Sequence, residues 1–316
     1  MITLIWLFLW GLVAAGALLL FNYLLARFIE ALIPPQGRFI EVDGLRLHIV
    51  DSGEKPGQSG PPLVFVHGLL GQLNHFSYAL SGLFPERRVV LIDRPGAGYS
   101  QAAPSQSLEA QGDLIAKLIA ALNLQKPLVV GHSLGGAIAL ALTLDHPETL
   151  CGLALVCPLT QKVAATPGPF QGLVMQNAAA RWLWAWTLGP AMSLLTSGPA
   201  VKTVFAPDAP PIDYWNRGGG LFAARPSSLL AASRDMAGLP EELAAQSARY
   251  AKLEVPVGVL FAAQDQILDP KLQGETLCRQ TPKAELKNVD GGHMLPLTQP
   301  QVVEAFIRSR LPSNPS

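Results

Sequence analysis

Short apolar runs alternate with amphipathic segments along most of the chain, from residue 38 to residue 311. Apolar runs of about four to eight residues without polar alternation are typical of strands buried in a parallel sheet. Asp43-Gly44 separates two further β-rich runs, at 38–42 and 45–50, and predicts a hairpin. The predicted buried strands are 63–66, 88–93, 128–131, 152–156, 255–262 and 284–289; the predicted helices are 107–122, the segment after 132 as far as 145, 271–280 and 299–311. The pattern predicts an α/β fold with a mainly parallel, doubly wound sheet and a hairpin at one edge.

The segment from 158 to 250 interrupts this alternation. It has little β pattern, and residues 181–186 are apolar on several faces, unlike a helix that packs on one side only. We expect a mainly helical insertion that covers the ligand-binding end of the sheet. Its tryptophans either form the core of this insertion or line a hydrophobic pocket, and the sequence leaves both open: Trp182, Trp184, Trp186 and Trp215.

The N-terminal segment has no charged side chain before Arg27. About 24 mostly apolar residues are enough for a helix to cross the hydrocarbon core of a bilayer, and the helical pattern continues to Ile33, where Pro34-Pro35 ends it. A cleaved signal peptide is the alternative, but no basic region precedes the apolar run. The sequence predicts a membrane anchor whose last turns hold the next domain near the bilayer. Gly11 and Ala15 form a small-xxx-small pair, through which two copies would pack as a homodimer.

These boundaries divide the chain into four parts. Residues 1–35 are predicted to form a transmembrane and juxtamembrane helix, residues 36–157 and 251–316 the two parts of a core, and residues 158–250 a helical lid or cap.

The charge balance argues against a nucleic-acid-binding protein, and the cysteines argue against a metal site. Lys+Arg and Asp+Glu number 23 each, so no basic surface for nucleic acid is expected. Charged residues are 15% of the chain and its mean hydropathy is +0.29, which suits a globular core that carries a membrane segment. The cysteines (Cys151, Cys157 and Cys278) lack metal-ligand spacing, and no metal or cofactor is predicted.

The sequence Gly131-His132-Ser133-Leu134-Gly135 follows a predicted strand and precedes a predicted helix. This is the setting of a nucleophile elbow, in which a strained turn lifts the serine Oγ above the sheet. Backbone N–H groups at the start of the following helix are suited to bind a developing oxyanion. The elbow predicts Ser133 as a nucleophile.

Other polar residues follow other predicted strands. His67-Gly68-Leu69 follows 63–66, Asp265 follows 255–262 and His293 follows 284–289. In an open parallel sheet these strand ends lie at one edge, where ligands bind. The order Ser, Asp, His along the chain is typical of a nucleophile–acid–base triad. Asp269, four residues beyond Asp265, is the rival acid.

From residue 38 to 311 the chain resembles the α/β-hydrolase superfamily. The resemblance rests on the motifs above in their order, on the motif at 93–100 and on Gly291-Gly292-His293. It implies that Ser133 is the nucleophile, His293 the general base and then acid, and Asp265 the residue that orients the imidazole. The backbone N–H groups of Leu69 and Leu134 would form the oxyanion hole. For His67, Asp93 and Asp290, strand-end polar residues outside this set, we expect structural roles in loops.

The combination of triad, lid and anchor predicts a membrane-bound serine esterase that acts on lipid esters such as phospholipids, lysophospholipids or monoacylglycerols. It resembles bacterial phospholipases A with a single membrane helix and membrane-anchored monoacylglycerol lipases. That resemblance implies a periplasmic catalytic domain, whereas Arg27 and Arg38 after the span favour a cytoplasmic one, and the side stays open. The alternatives are a carboxylesterase for small soluble esters, a C–C hydrolase or acyltransferase with the same triad, and a catalytically inactive binding protein.

Overall fold

The computed structural model describes residues 2–312; Met1 and residues 313–316, where the predicted anchor begins and the predicted core ends, lie outside this range. An eight-stranded sheet forms the centre of the molecule, in the order β1-β2-β4-β3-β5-β6-β7-β8. The strands are β1 (Arg38–Val42), β2 (Leu45–Asp51), β3 (Leu63–Val66), β4 (Val89–Ile92), β5 (Leu128–His132), β6 (Gly152–Val156), β7 (Val257–Ala262) and β8 (Ala284–Val289).

The predicted sheet is confirmed. β1 and β2 form the antiparallel hairpin, β2 pairs antiparallel with β4, and the remaining neighbours are parallel. All residues of β3 to β7 are buried, as their continuous apolar sequences require. The chain reverses its winding direction between β3 and β5, so the ends of these two strands open the crevice in which a doubly wound sheet binds ligands.

Helices cover the sheet and form the insertion between β6 and β7. The helices are α1 (Ile2–Leu32), α2 (Asn74–Ser77), α3 (Leu108–Ala121), α4 (Leu134–Asp145), α5 (Ala178–Trp186), α6 (Leu188–Phe205), α7 (Pro226–Ala237), α8 (Leu239–Ser247), α9 (Thr276–Gln280), α10 (Leu295–Thr298) and α11 (Pro300–Arg310). The Ser107 side chain caps α3, as its position predicts, by accepting from the Ala110 amide. Residues 271–275, predicted as ordinary helix, form a π-helical turn that precedes α9. This wider turn places the buried Gln273 amide against the backbone of Thr160 and Gln161.

The segment from α5 to α8 is helical, as predicted, and we call it the cap. The predicted division of the chain into four parts, in which the whole segment 158–250 is a separate lid, stays a prediction. Trp182 is half exposed, whereas Trp184 and Trp186 are partly buried against the core. The tryptophan-rich helix α5 therefore combines an outer apolar face with an inner one, which explains why its sequence is apolar on several sides.

The first half of α1 projects from the molecule and the second half packs on it. An 18-residue window of α1 has a mean hydropathy of 2.4 and no buried residue, so the helix is long and apolar enough to cross a membrane, a property shared by anchors and signal sequences. From Asn22 onward the helix contacts the cap. Asn22 Nδ2 donates to Trp186 O at 2.8 Å and to Thr187 O at 2.7 Å, and Ile29 and Ile33 pack against Phe222.

Candidate active site

Ser133 occupies the turn between β5 and α4 in a conformation that non-glycine residues rarely adopt. Its φ is 54° and its ψ is −123°. Such strain persists only where the surroundings enforce it, and it concentrates at functional sites. The close packing behind the turn requires glycine at 135, because a Cβ there would lie 2.1 Å from Val66 O. The predicted elbow is therefore formed.

Backbone hydrogen bonds fix Ser133 against the neighbouring strand. Its N–H donates to Val156 O at 3.2 Å, and its carbonyl accepts from Gly136 N at 2.9 Å and Leu159 N at 3.0 Å. These bonds hold the strained turn in place, so the hydroxyl is presented without rearrangement.

His293 and Asp265 meet beyond the ends of β8 and β7. His293 Nδ1 lies 2.7 Å from Asp265 Oδ2, and both side chains are buried. The other carboxylate oxygen accepts from the amides of Ile267 at 2.8 Å and Leu268 at 3.0 Å, which fixes the carboxylate plane. Asp269, the rival acid, is exposed and accepts from Lys271 N at 2.9 Å instead. The geometry thus favours Asp265 as the partner of His293.

Ser133 and His293 line the same cavity. Among residues 2–312, however, no hydrogen bond joins the Ser133 hydroxyl to the His293 imidazole. Contacts between nucleophile and base are frequently longer without substrate and tighten in the reacting complex. His132 packs against His293: its ring lies 5.0 Å from the His293 ring, and its Nε2 is 3.0 Å from His293 O.

The loop after β3 lies directly against the elbow. A Cβ on Gly68 would come within 2.8 Å of the Ser133 Cβ, so only glycine allows this approach. Leu69 lines the cavity beside Ser133. Within the described part of the chain, neither the Leu69 amide nor the Leu134 amide donates to a protein acceptor. Of the two amides predicted for the oxyanion hole, that of Leu69 thus belongs to a residue that lines the cavity.

The remaining strand-end residues have structural partners, as expected. Asp93 is buried and accepts from Leu73 N at 2.8 Å and Tyr99 N at 2.9 Å, and it pairs with His48. Asp290 is exposed and accepts from Gln264. His67 Nδ1 lies 2.9 Å from Gly68 O, which makes this nitrogen the donor. Burial and the nearby Arg94 charge lower the pKa of His67, so its ring is neutral.

A cavity of about 730 Å³ extends from Ser133 into the cap. This volume lies within the range of about 300–1,000 Å³ that is usual for ligand pockets. Its walls are mainly apolar, with polar groups beside Ser133 and hydroxyl groups on α6. The apolar and aromatic residues that line it include Leu70, Phe170, Leu173, Trp184, Met192, Leu194, Val201, Tyr214, Trp215, Leu221 and Leu229. Trp184 and Trp215 thus line the pocket, and the cap supplies most of its surface.

Two residues near the site were not predicted. The Cys157 thiol, directly after β6, lies with Asp265 and His293 in one cluster whose ligand atoms are within 4.8 Å of one another. Burial raises the pKa of Cys157, so the thiol is neutral beside the carboxylate. His75 lines the cavity, and burial lowers its pKa to about 4. The sequence offered one signal for Cys157, its position directly after a predicted strand. No motif or spacing indicated that His75 would line the cavity.

One protein-family model matches part of the chain. Residues 61–189 match the model described as alpha/beta hydrolase fold. A dihydrolipoyllysine-residue acetyltransferase component of the acetoin cleaving system from Pseudomonas putida is 33% identical over 170 residues, which are 54% of this chain and 44% of that protein. The chain therefore spans less than half the length of this relative.

Solved structures resemble nearly the whole molecule. An alpha/beta hydrolase fold protein from Burkholderia ambifaria has a TM-score of 0.70 and 25% identity over 88% of this chain and 99% of that one. A membrane phospholipase A described as a bacterial virulence factor has a TM-score of 0.65 and 22% identity, over 97% of this chain and 98% of that one.

Proposed function

Since the chain has the α/β-hydrolase fold, with hydrolase, esterase and lipase structures among its neighbours, we propose that it is a membrane-anchored serine esterase that hydrolyses lipid esters. The observation that carries the proposal is Ser133, strained at its elbow and sharing an apolar cavity with the hydrogen-bonded pair His293–Asp265. The cavity, the cap and the N-terminal helix support a lipid as substrate.

In the proposed reaction, Ser133 Oγ attacks the ester carbonyl carbon while His293 Nε2 takes the hydroxyl proton. The carbonyl oxygen becomes an oxyanion that accepts from the amides of Leu69 and Leu134. His293 then gives its proton to the leaving alkoxide, and an acyl-enzyme remains on Ser133. Water, deprotonated by His293, attacks the acyl carbonyl; the bond to Ser133 Oγ then breaks, His293 returns the proton to this oxygen, and the fatty acid leaves. Asp265 keeps the imidazole in one tautomer and stabilises its charged form.

The shape of the cavity favours an acyl chain over a small acid. Nonpolar side chains from the core and the cap line most of it, and polar groups lie both beside Ser133 and on α6, where the hydroxyl residues are Ser193, Thr196, Ser197 and Thr203. A long hydrocarbon chain would bury its surface along these walls while its ester group lies at the catalytic residues, which is the arrangement that transfer of apolar surface from water favours.

The N-terminal helix supports a bilayer as the place of action. Ile2 to Phe21 would form a helix of about 30 Å, which equals the hydrocarbon thickness of a bilayer. Asn22, the next residue, is buried and hydrogen-bonded to the backbone between α5 and α6. The membrane span would therefore end where the helix reaches the cap, so the cap would lie at the bilayer surface.

The cap exposes apolar residues, three of which are within five residues of this contact in the sequence. Trp182, Leu183 and Leu188 are 50%, 57% and 57% exposed, and Leu195 is 77% exposed. An apolar face of this kind next to a membrane helix is suited to contact the acyl region of the lipid surface. Pairing of two copies through Gly11 and Ala15 stays a prediction, as does the side of the membrane.

The proposal is tested with full-length protein reconstituted in vesicles that contain phospholipid, lysophospholipid and monoacylglycerol. Wild type should release fatty acid, Ser133→Ala should release none, and Ser193→Ala, a matched change of another cavity serine, should retain activity. Turnover of short soluble esters without release from vesicles would support a carboxylesterase instead. Absence of hydrolysis from both substrate classes would refute the proposal.

A further inference from the structure

We infer that Arg94 is a positioning residue for the oxyanion hole, and that Asp235 of the cap holds Arg94 in place. The inference rests on the proposed function, because it concerns the amide of Leu69 that would bind the oxyanion. Neither residue lines the cavity, so neither acts by touching a ligand there.

Arg94 holds the peptide group that carries the Leu69 amide. The carbonyl of this group belongs to Gly68, and it accepts from Arg94 Nη2 at 3.0 Å, from His67 Nδ1 at 2.9 Å and from Gly71 N at 3.2 Å. A trans peptide group is planar, with its N–H directed opposite to its C=O. Donors that fix the carbonyl direction therefore also fix the direction in which the Leu69 N–H points.

The charge of Arg94 also strengthens this N–H as a donor. Arg94 is 3% exposed, so its charge acts on the peptide group with little screening by water. A cationic donor on a carbonyl polarises the peptide group and makes its N–H a better hydrogen-bond donor. The loop is further fixed by Arg94 N, which donates to His67 Nε2 at 3.0 Å, and by Arg94 Nε, which donates to His67 O at 3.0 Å.

The guanidinium is in turn held from the cap. Asp235 on α7 lies 3.1 Å from Arg94 Nη2 and from Nη1, and Gln111 Oε1 accepts from Nη1 at 2.8 Å. Together with the carbonyls of Gly68 and His67, these acceptors satisfy all donor groups of the guanidinium. Asp235 is buried, and burial raises its pKa while Arg94 opposes the rise. A carboxylate of the cap thus fixes the cation that orients the Leu69 amide.

The test measures the oxyanion hole separately from folding and from ground-state binding. Arg94→Lys removes the planar fork, and Asp235→Asn removes the charge that holds it. Asp51→Asn is the matched control, because Asp51 also forms a bidentate pair, with Arg88, whose side chains are 4% and 13% exposed and lie where β2 pairs with β4. For each full-length variant in detergent, kcat and KM are measured on a short soluble ester. Affinities are measured for a trifluoromethyl ketone, which forms an oxyanion on Ser133, and for the fatty acid product.

We expect Arg94→Lys and Asp235→Asn to lower kcat/KM by about 10- to 100-fold and to weaken ketone binding by the same factor. Product binding should stay within about twofold, and Asp51→Asn should keep kcat/KM and ketone affinity while it lowers the unfolding temperature. A purely structural role would instead change the unfolding temperature alone, or weaken ketone and product equally, and either result would overturn the inference.

Two further measurements distinguish a failure of this inference from misfolding of the variants and from a failure of the proposed function. If the single variants fail to fold, the double variant Arg94→Met, Asp235→Leu removes both buried charges and should fold with the same loss of ketone affinity. Wild-type affinity for the ketone in this double variant would overturn the inference. Ser133→Ala tests the proposed function itself, because undiminished ketone binding there would refute the nucleophile and not the role of Arg94.

Discussion

An ion pair between α1 and the cap, one of several contacts that join them, can be removed by one substitution. Arg225 Nη2 lies 2.8 Å from Glu30 Oε1, and their side chains are 9% and 19% exposed. Arg225 also donates to Gly98 O at 2.6 Å, and its Nε has no partner within the described residues. Burial lowers the pKa of Arg225, whereas Glu30 opposes this effect. Glu30→Gln would therefore leave a buried guanidinium without its counter-charge.

The expected loss of stability follows from the burial of the pair. Removal of one partner costs about 3–5 kcal/mol in a fully buried pair, and exposed pairs contribute about 0–1 kcal/mol. Because water reaches part of Glu30 and glutamine keeps an acceptor oxygen, we expect a loss of about 2 kcal/mol for Glu30→Gln. In a chain of this size, this loss lowers the unfolding temperature by roughly 3 °C.

Thermal unfolding of the full-length protein in detergent measures this effect, with tryptophan fluorescence as the signal of the cap. Glu275→Gln is the control, because Glu275 forms an exposed pair with Arg279 (side chains 44% and 65% exposed) and should lose less than about 0.5 kcal/mol. The double variant Glu30→Gln, Arg225→Met should recover part of the loss, since no buried charge remains. Equal stability of Glu30→Gln and Glu275→Gln would refute the idea that the ion pair fastens the helix to the cap.

Further predictions concern the buried His75, the proposed acid Asp265 and the surface of the cap. Because the pKa of His75 is about 4 instead of 6.5, unfolding takes up a proton between these values, and the free energy of unfolding falls as the pH drops. Urea titrations measure the free energy of unfolding at pH 7 and at pH 5. Between these values it should decrease by about 2 kcal/mol less in His75→Gln than in wild type, and an equal decrease in both proteins would contradict this prediction. Asp265→Asn should lower kcat on a soluble ester by about 10³- to 10⁴-fold, because an amide favours the wrong imidazole tautomer, whereas Asp269→Asn should stay within about threefold; equal effects would reverse the assignment. Leu195→Asp should lower hydrolysis of vesicle lipids by about tenfold without changing short-ester turnover, and an equal loss on both substrates would show that Leu195 acts on the fold.

Local patterns were sufficient to predict the strands and the strand-end residues. The elbow at Ser133 needs only a strand, small neighbours and a helix, all contiguous in sequence. Asp265 and His293 could be placed because parallel strands bring their ends to one edge. That argument also favoured Asp265 over Asp269, which lies further from the strand end.

Long-range contacts were not predictable in the same way. Arg94 and Asp235 are 141 residues apart, and no periodicity links a loop after one strand to a helix of the cap. Asn22 follows an apolar run and looks like a tolerated polar residue, yet it binds the backbone of the cap. The antiparallel pairing of β2 with β4 depends on the whole sheet and not on the sequence of either strand.

Identification of the residue that carries a covalent adduct tests the central claim most directly. After treatment with a fluorophosphonate, peptide mass spectrometry of the full-length protein should find the adduct on Ser133. The adduct should be absent in Ser133→Ala and should form at least about 100-fold more slowly in His293→Asn. An adduct on Ser193 or Ser197, the other serines of the cavity, or undiminished labelling in His293→Asn, would contradict the account.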